Sequence, residues 1–345
     1  MDKSIEQPVL DFFTFPPVGK EDWRYTYQSA VVRVLHAQMF TKGFLHDLAN
    51  AQSFEQAIEM LASTEYAIGQ GSKDFAEVES MLLLKRAETR KFFSDLVIDK
   101  EIIGFLRTRE DFTNMRLALR RKLTDKPIGT DYIDDGSVPA EEFRDIFEQE
   151  NYAPFPEHMQ EAIESAVLAY YQNKNVRDID YALDVSEAEY RIKRASELGN
   201  VFLLSMFRVR IDLTNIRTVL RLKFTESQDR EVFLPGGFIE IERLKHALDI
   251  GYEAIPPLFF ATPYFEIVES GVHYLTSKKS FLRLEQRCDQ YMNEFLMSTF
   301  QITAGPQPVI AYFLLKEDEI RRVRLLLTAK KNGLDARLVL DRIGE

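Results

Sequence analysis

Two stretches decide the fold: residues 107–124, RTREDFTNMRLALRRKLT, and residues 208–225, RVRIDLTNIRTVLRLKFT. At a constant offset of 101, ten of the eighteen positions are identical: Arg107/Arg208, Arg109/Arg210, Asp111/Asp212, Thr113/Thr214, Asn114/Asn215, Arg116/Arg217, Leu119/Leu220, Arg120/Arg221, Lys122/Lys223 and Thr124/Thr225. The same offset pairs Gly136 with Gly237. A weaker third copy, LKEDEIRRVRLLLTAK over residues 315–330, sits 107 positions beyond the second. It sets Glu319 on Asp212, Arg324 on Arg217, Leu327 on Leu220 and Lys330 on Lys223, with Arg322 where the others carry Asn114 and Asn215. Apolar residues recur at i, i+3, i+7 in all three: Phe112, Met115, Leu119; Leu213, Ile216, Leu220; Ile320, Val323, Leu327. Each copy therefore predicts an amphipathic helix with the same buried stripe.

The surroundings of the copies also recur. An upstream helix is predicted over 79–96, 187–198 and 284–295. Downstream comes a glycine turn and a further helix: Gly136 then 140–148, Pro235-Gly236-Gly237 then 238–248, Asn332-Gly333 then 334–343. The glycines are expected to supply positive φ where the chain reverses. The period of about 100 residues is longer than the 20–50 of ordinary solenoids. The expectation is an all-α fold of three related helical units in a pseudo-three-fold arrangement. The corresponding stretches are 1–150 (N-terminal helices and the first unit), 151–255 and 256–345.

Elsewhere, residues 1–24 read as extended, with Pro16-Pro17-Val18-Gly19 as punctuation. One helix is expected from about Asp22–Trp23 to Ala49. Ser53-Phe54-Glu55-Gln56 reads as a capping box opening a helix over 54–61. Gly69 and Gly71 mark a loop before a long helix over 75–96, and another helix is expected over 157–173. The fragment Gly69-Gln70-Gly71-Ser72-Lys73 reads as a flexible loop in preference to an anion-binding turn.

Composition narrows the function. Hydrophobic residues are 45% of the chain, enough for a packed core, and sparse Gly (15) and Pro (13) favour helices. The formal charge, 44 − 55 = −11, disfavours nucleic acid as a partner. The runs Arg120-Arg121-Lys122 and Arg321-Arg322 then read as solvated helix faces. The lone Cys288 permits neither an internal disulfide nor a CxxC metal site. No apolar run reaches the ~20 residues that cross a bilayer, and the N-terminus lacks a signal-peptide core.

Catalytic motifs are missing: there is no GxxxxGK[ST] loop, HExxH, GxSxG elbow or EF-hand. His36, His46, His158, His246 and His273 lack metal-ligand spacing, and no metal or cofactor is expected. Asp134-Asp135 and Glu317-Asp318-Glu319 read as charges at helix N-termini. Asn114, Arg116, Asn215, Arg217, Arg322 and Arg324 are the candidate functional residues. One reading has the arginines tying their own helices together through carboxylates. The other has three equivalent helices presenting Asn and Arg to a shared hollow.

Several motifs together carry a resemblance to a family. They are Tyr25-Thr26-Tyr27 with Arg33; Thr64-Glu65-Tyr66; Asp212-Leu213-Thr214-Asn215-Ile216-Arg217 with Leu220-Arg221-Leu222-Lys223; Leu234-Pro235-Gly236-Gly237; and Gly305-Pro306-Gln307-Pro308 running into Lys316-Glu317-Asp318-Glu319-Ile320. In order and spacing they resemble the C subunit of the archaeal and bacterial V/A-type rotary ATPases, related to the d subunit of the eukaryotic vacuolar enzyme. The resemblance implies a funnel-shaped, non-catalytic component of the central stalk. It would sit peripherally on the cytoplasmic face of the membrane, on the proteolipid ring, with its hollow receiving the D and F proteins of the central shaft. It would thereby couple ATP-linked rotation to H⁺ or Na⁺ movement. A helical-repeat scaffold for another protein is the alternative. An enzyme with an unrecognised helical site is a third reading, against which the missing catalytic constellation counts.

Overall fold

A computed structural model describes residues 15–67, 74–227, 229–336 and 339–340. Among them every regular element is helical. In chain order these are α1 (Thr26–His36, preceded by a 3₁₀ turn Trp23–Tyr25), α2 (Lys42–Asn50), α3 (Phe54–Leu61), α4 (Phe75–Leu96), α5 (Lys100–Leu123), α6 (Ala140–Gln149), α7 (Glu157–Asn173), α8 (Val176–Glu197), α9 (Val201–Phe224), α10 (Ile241–Asp249), α11 (Phe265–Lys278), α12 (Leu282–Ser298) and α13 (Pro306–Lys331).

The recurrence at offset 101 reaches well beyond the motif. α4 and α8 are both 22 residues long, α5 and α9 both 24, and each pair starts 101 positions apart. Asp74 and Asn175, equivalent residues, cap α4 and α8 by accepting from the amides of Ala76 and Arg177. The expected start of the second upstream helix, residue 187, is therefore eleven residues late, because Asn175 opens it at Val176. The C-terminal closures match as well. Lys126 and Ser227 donate backward to the carbonyls of Arg121 and Leu222, while Asp125 and Glu226 take left-handed φ of 53°. α13 ends the same way, 107 positions on: Leu334 donates to Ala329 and Gly333 lies at φ 64°.

The chain divides into two compact units, a grouping that cuts it differently from the three sequence stretches. One is residues 99–249, holding α5–α10. Its core includes Phe112, Met115, Leu119, Phe143, Phe147, Met159, Ile163 and Leu183, all nearly solvent-free. α8 packs against α5, α7 and α9. Phe105 meets Phe207 edge-on at 5.1 Å, and the buried Arg191 guanidinium lies 4.7 Å over the Phe207 ring while pairing with Glu187 at 2.8 Å. Burial pulls Arg191 below its usual pKa, which Glu187 opposes.

The other unit joins the described residues on either side, up to Ile98 and from Ile250. Here α13 runs against α1, α2, α3, α4 and α12. Ile320, Val323, Leu326 and Leu327 of α13 bury against Leu45, Leu48, Phe54, Leu61, Val78 and Leu82.

The single helix expected from about residue 22 to Ala49 is instead broken between His36 and Lys42. Phe40 gives its amide to the Glu319 carboxylate at 2.7 Å instead of to a helical carbonyl, and Thr41 restarts the chain by capping Phe44. The capping box at Ser53 forms in altered form. Ser53 accepts from Gln56 N–H, while the Gln56 side chain accepts from the Gln52 amide. The Gly69–Lys73 fragment, the start of the N-terminal segment and part of the helix expected over 334–343 lie outside the described residues.

Candidate functional site

The recurrent Asp and Asn are the place to begin, because both are buried polar groups that need partners. Asn114 donates to Ile133 O at 2.8 Å and accepts from Ile133 N–H at 2.9 Å. Asn215 does the same with Leu234, at 2.9 and 2.8 Å. Asp111 accepts from Ser137 N–H at 2.8 Å, Ser137 Oγ at 2.6 Å and Val138 N–H at 3.4 Å. Asp212 accepts from Phe238 N–H at 3.1 Å and Ile239 N–H at 3.0 Å. Every partner obeys the offset of 101. One turn of helix thus clamps the loop that follows it, twice over. Burial raises the Asp111 carboxyl above its usual pKa, against the hydrogen bonds from Ser137 and Val138.

The clamp explains Gly136 and Gly237 differently from the expectation of positive φ, which neither residue adopts. A Cβ on Gly136 would lie 2.3 Å from Asp111 Oδ1, and one on Gly237 2.2 Å from Asp212 Oδ1. Glycine is required so that the carboxylate can approach. Positive φ falls on the neighbouring Gly236, at 89°.

In the third copy the slot is reassigned. Glu319 accepts from Tyr66 OH at 2.8 Å and from Phe40 N–H at 2.7 Å, and Lys316 pairs with both Glu319 and Glu65. Lys316 Nζ also lies 5.0 Å over the Tyr66 ring. Lys316 and Glu319 are nearly solvent-free at 3% and 5% exposure, so the pair is a true interior ion pair, whereas Glu65 reaches the surface. Burial and then the Glu319 charge drive the Tyr66 phenol far above its usual pKa, and burial does the same for Tyr312. Both stay neutral, and Tyr66 serves as a hydrogen-bond donor.

Glu317 and Asp318 complete the segment. Glu317 accepts from Arg90 at 2.8 Å and lies 3.4 Å from Arg86, both on α4. Asp318 pairs with Arg322 at 2.7 Å, with Arg321, and with Asn293 at 3.3 Å. The reading of Glu317-Asp318-Glu319 as helix N-terminal charges is corrected here. α13 opens at Pro306, so these residues lie about three turns inside it, beyond the reach of the terminal dipole. Asp134 does follow that reading, accepting from Ala140 N–H at the start of α6.

Two of the candidate arginines, Arg116 and Arg324, join helices. Arg116 of α5 pairs with Asp184 and, at 3.5 Å, with Asp180 of α8. Arg324 of α13 pairs with Glu79 of α4 at 3.0 Å. Arg116 and Arg324 are equivalent positions, and so are Asp180 and Glu79. Both pairs are partly exposed, and each is worth only ~0–1 kcal/mol. Arg217 is half-buried on α9. The basic run at 120–122 is neutralised within the chain: Arg120 by Asp180, Arg121 by Asp131 and Lys122 by Glu150.

Sequence reasoning missed that the motifs carrying the family resemblance are bonded to one another. Thr64-Glu65-Tyr66 meets Lys316 and Glu319. Arg33 donates to the carbonyls of Thr303 at 2.8 Å and Ile302, and Ser29 Oγ joins Gly305 N–H at 3.1 Å, just ahead of the Pro306-Gln307-Pro308 start of α13. The Asp212–Asn215 helix turn holds Leu234 and the residues after Gly237. The signal that could have found this was co-occurrence: the stretch 305–320 meets both N-terminal motifs, and Asp212–Asn215 meets the Leu234–Gly237 loop.

Among the described residues, no group of three His, Cys, Asp or Glu is placed to hold a metal. His36 stacks on Phe300 at 4.3 Å and His158 on Tyr190 at 3.8 Å, and burial lowers the pKa of both. No helix among those residues is long and apolar enough to cross a membrane.

A family model described as ATP synthase (C/AC39) subunit matches residues 28–342. The C subunit of the V-type sodium ATPase of Enterococcus hirae is 22% identical over 325 residues, covering 92% of this chain and 98% of that protein. The C subunit of the V-type ATP synthase of Thermus thermophilus is 24% identical over 316 residues, covering 89% and 94%. The C subunit of the A-type ATP synthase of Thermococcus kodakarensis is 22% identical over 347 residues, covering 94% and 92%.

Proposed function

The chain belongs to the ATP synthase (C/AC39) subunit family, and from that premise we propose that it is the central-stalk adaptor of a V/A-type rotary ATPase. It receives the foot of the D/F shaft and passes torque to the proteolipid ring at the cytoplasmic face of the membrane. Its three recurrent units are taken as the stretches 1–150, 151–255 and 256–345.

The observation that carries this reading is the match over residues 28–342 at nearly full length of the relatives, together with the mutual bonding of the motifs involved. A torque adaptor has to resist deformation, and the structure supplies the means. Helix turns clamp loops through paired side-chain-to-backbone hydrogen bonds, and Glu319 and Lys316 tie α13 to Tyr66, Phe40 and Glu65 of the N-terminal segment. The contacts of Arg116 and Arg324 between helices, of Asn114 and Asn215 with the loops that follow and of Arg322 within α13 favour a structural role over a grip on the shaft, and we extend that role to Arg217. The chain acts as an accessory component, with ATP chemistry residing elsewhere in the complex.

The test is affinity capture of the tagged full chain from detergent-solubilised membranes, with mass spectrometry of stoichiometric partners. Recovery of the D, F and proteolipid proteins is expected. Recovery of none of them, from cells that assemble such an ATPase, would overturn the adaptor reading in favour of a scaffold for another protein.

A further inference from the structure

The outer face of α7 has a composition that folding does not account for. The inner face is apolar and buried: Met159, Ala162, Ile163 and Ala166 pack on the helices beneath. The outward positions at helical spacing are Glu157, Glu161, Glu164, Leu168, Tyr171 and, just past the helix, Lys174. Leu168 and Tyr171 are 59% and 57% exposed. They border an open groove of about 520 Å³ whose lining also includes Tyr152, Gln160, Ile163, Glu164 and Val167. Lys174 lies 3.6 Å over the Tyr171 ring and holds it in place.

Glu157 in the first turn offsets the helix dipole. Glu161 and Glu164 stand too far along for that. Among the described residues, no lysine or arginine pairs with any of the three glutamates. Asp131, Glu150 and Asp180 of the same unit are by contrast neutralised by neighbouring arginine or lysine. A row of unneutralised carboxylates therefore runs beside an apolar trough with two solvent-facing anchors.

We propose that this groove is a docking surface for a basic amphipathic helix of a partner protein. The partner's apolar residues would fill the trough over Ile163, Val167, Leu168 and Tyr171, and its lysines or arginines would face Glu157, Glu161 and Glu164. Helix-in-groove recognition uses this pairing of apolar anchors with a charged flank, and the charge sign selects a cationic partner. The unneutralised glutamates also disfavour an anionic lipid surface as the occupant. The proposal goes beyond the adaptor reading and does not depend on it, since the surface lies wholly within residues 152–174.

The experiment uses the full chain and a labelled amphipathic helix made only of leucine and lysine, with its leucine–glutamate counterpart as control. Fluorescence anisotropy at low salt is expected to show binding of the cationic helix alone. Glu161→Lys with Glu164→Lys, and separately Leu168→Ser with Tyr171→Ser, should each weaken it about tenfold. Glu266→Lys with Glu269→Lys, on exposed positions of α11, should change it less than twofold. An equal loss in this last variant would reduce the effect to attraction by the net charge of −11 and overturn the proposal, as would absence of binding. Sedimentation is the second readout. A dimer of the wild-type chain that Leu168→Ser with Tyr171→Ser dissolves would make a second copy the occupant and overturn the assignment to a cationic helix. The charge-reversal variant alters only exposed side chains, so it remains informative if the apolar variant misfolds.

Discussion

The carboxylate slot of the recurrent helix is used in two ways. On α5 and α9 it holds Asp111 and Asp212, which reach 26 and 27 positions ahead to fasten the next loop. On α13 it holds Glu319, which reaches back 253 positions to Tyr66 and 279 to Phe40. The first arrangement closes a short loop at small entropic cost and repeats almost atom for atom. The second closes most of the chain, and a buried lysine, Lys316, pairs with its carboxylate. The difference teaches that a duplicated helix keeps its buried stripe and its termini before it keeps its polar partners. The stripe is satisfied by any apolar neighbour, whereas a hydrogen bond needs a particular one.

The strongest way to break this comparison is Glu319→Ala. It leaves Lys316 with only the partly exposed Glu65 and removes the acceptor for Tyr66 and Phe40, so a loss approaching the ~3–5 kcal/mol of breaking a buried pair is expected. Hydrogen exchange should quicken in the peptides covering 40–66 and 306–331 while residues 99–249 keep their protection. Equal loosening of both units would show that the slot has the same reach in each.

A more moderate effect sharpens the local half. Gly237→Ala drives a methyl group against Asp212 and should cost ~1–3 kcal/mol in urea unfolding. In an Asp212→Ala background the same change should cost much less, because the obstructing oxygen is gone. Additive costs in that double-mutant cycle would remove the close-approach explanation for the glycine.

The smallest effect is a pH slope. Asp111 has a raised pKa in the folded state, so it binds its proton more tightly folded than unfolded. Its contribution to stability therefore falls as pH rises from the ordinary carboxylate value of about 4 through the raised one, then levels. The difference in urea midpoint between the wild-type chain and Asp111→Asn should change over that window and be flat at neutral pH. A difference that grows with pH instead would reverse the sign and assign the hydrogen bonds, not burial, the larger influence.

How much of this was legible in advance follows from the same contrast. The helices around positions 107–124 and 208–225 could be read because periodicity and identity at one offset are local signals. The break before Lys42 could not, because the partner that takes the Phe40 amide lies on α13. The segment Lys316–Glu319 was readable as charged but not as interior. Its four residues face different neighbours, and only packing shows that Lys316 and Glu319 lose their water. The docking face of α7 was likewise hidden. The alternation of Glu, Leu and Tyr there looks like any surface helix until the trough beneath it is seen. Even the glycines at 136 and 237 were placed correctly in turns for a reason that the structure replaces.

The split of one unit into segments on either side of residues 99–249 has a consequence for synthesis on the ribosome. The packing partners described for α5–α10 lie within residues 99–249, so that unit can complete itself once α10 has emerged. α1–α4 cannot, because the face that Leu45, Leu48, Phe54 and Leu61 present is covered by α13. Some 210 residues separate the end of α4 from the start of α13, a wait of roughly 10–40 s at ordinary translation rates. Throughout that interval the nascent chain carries an apolar surface with nothing to lie against, and it is during this delay that chaperones would find their substrate.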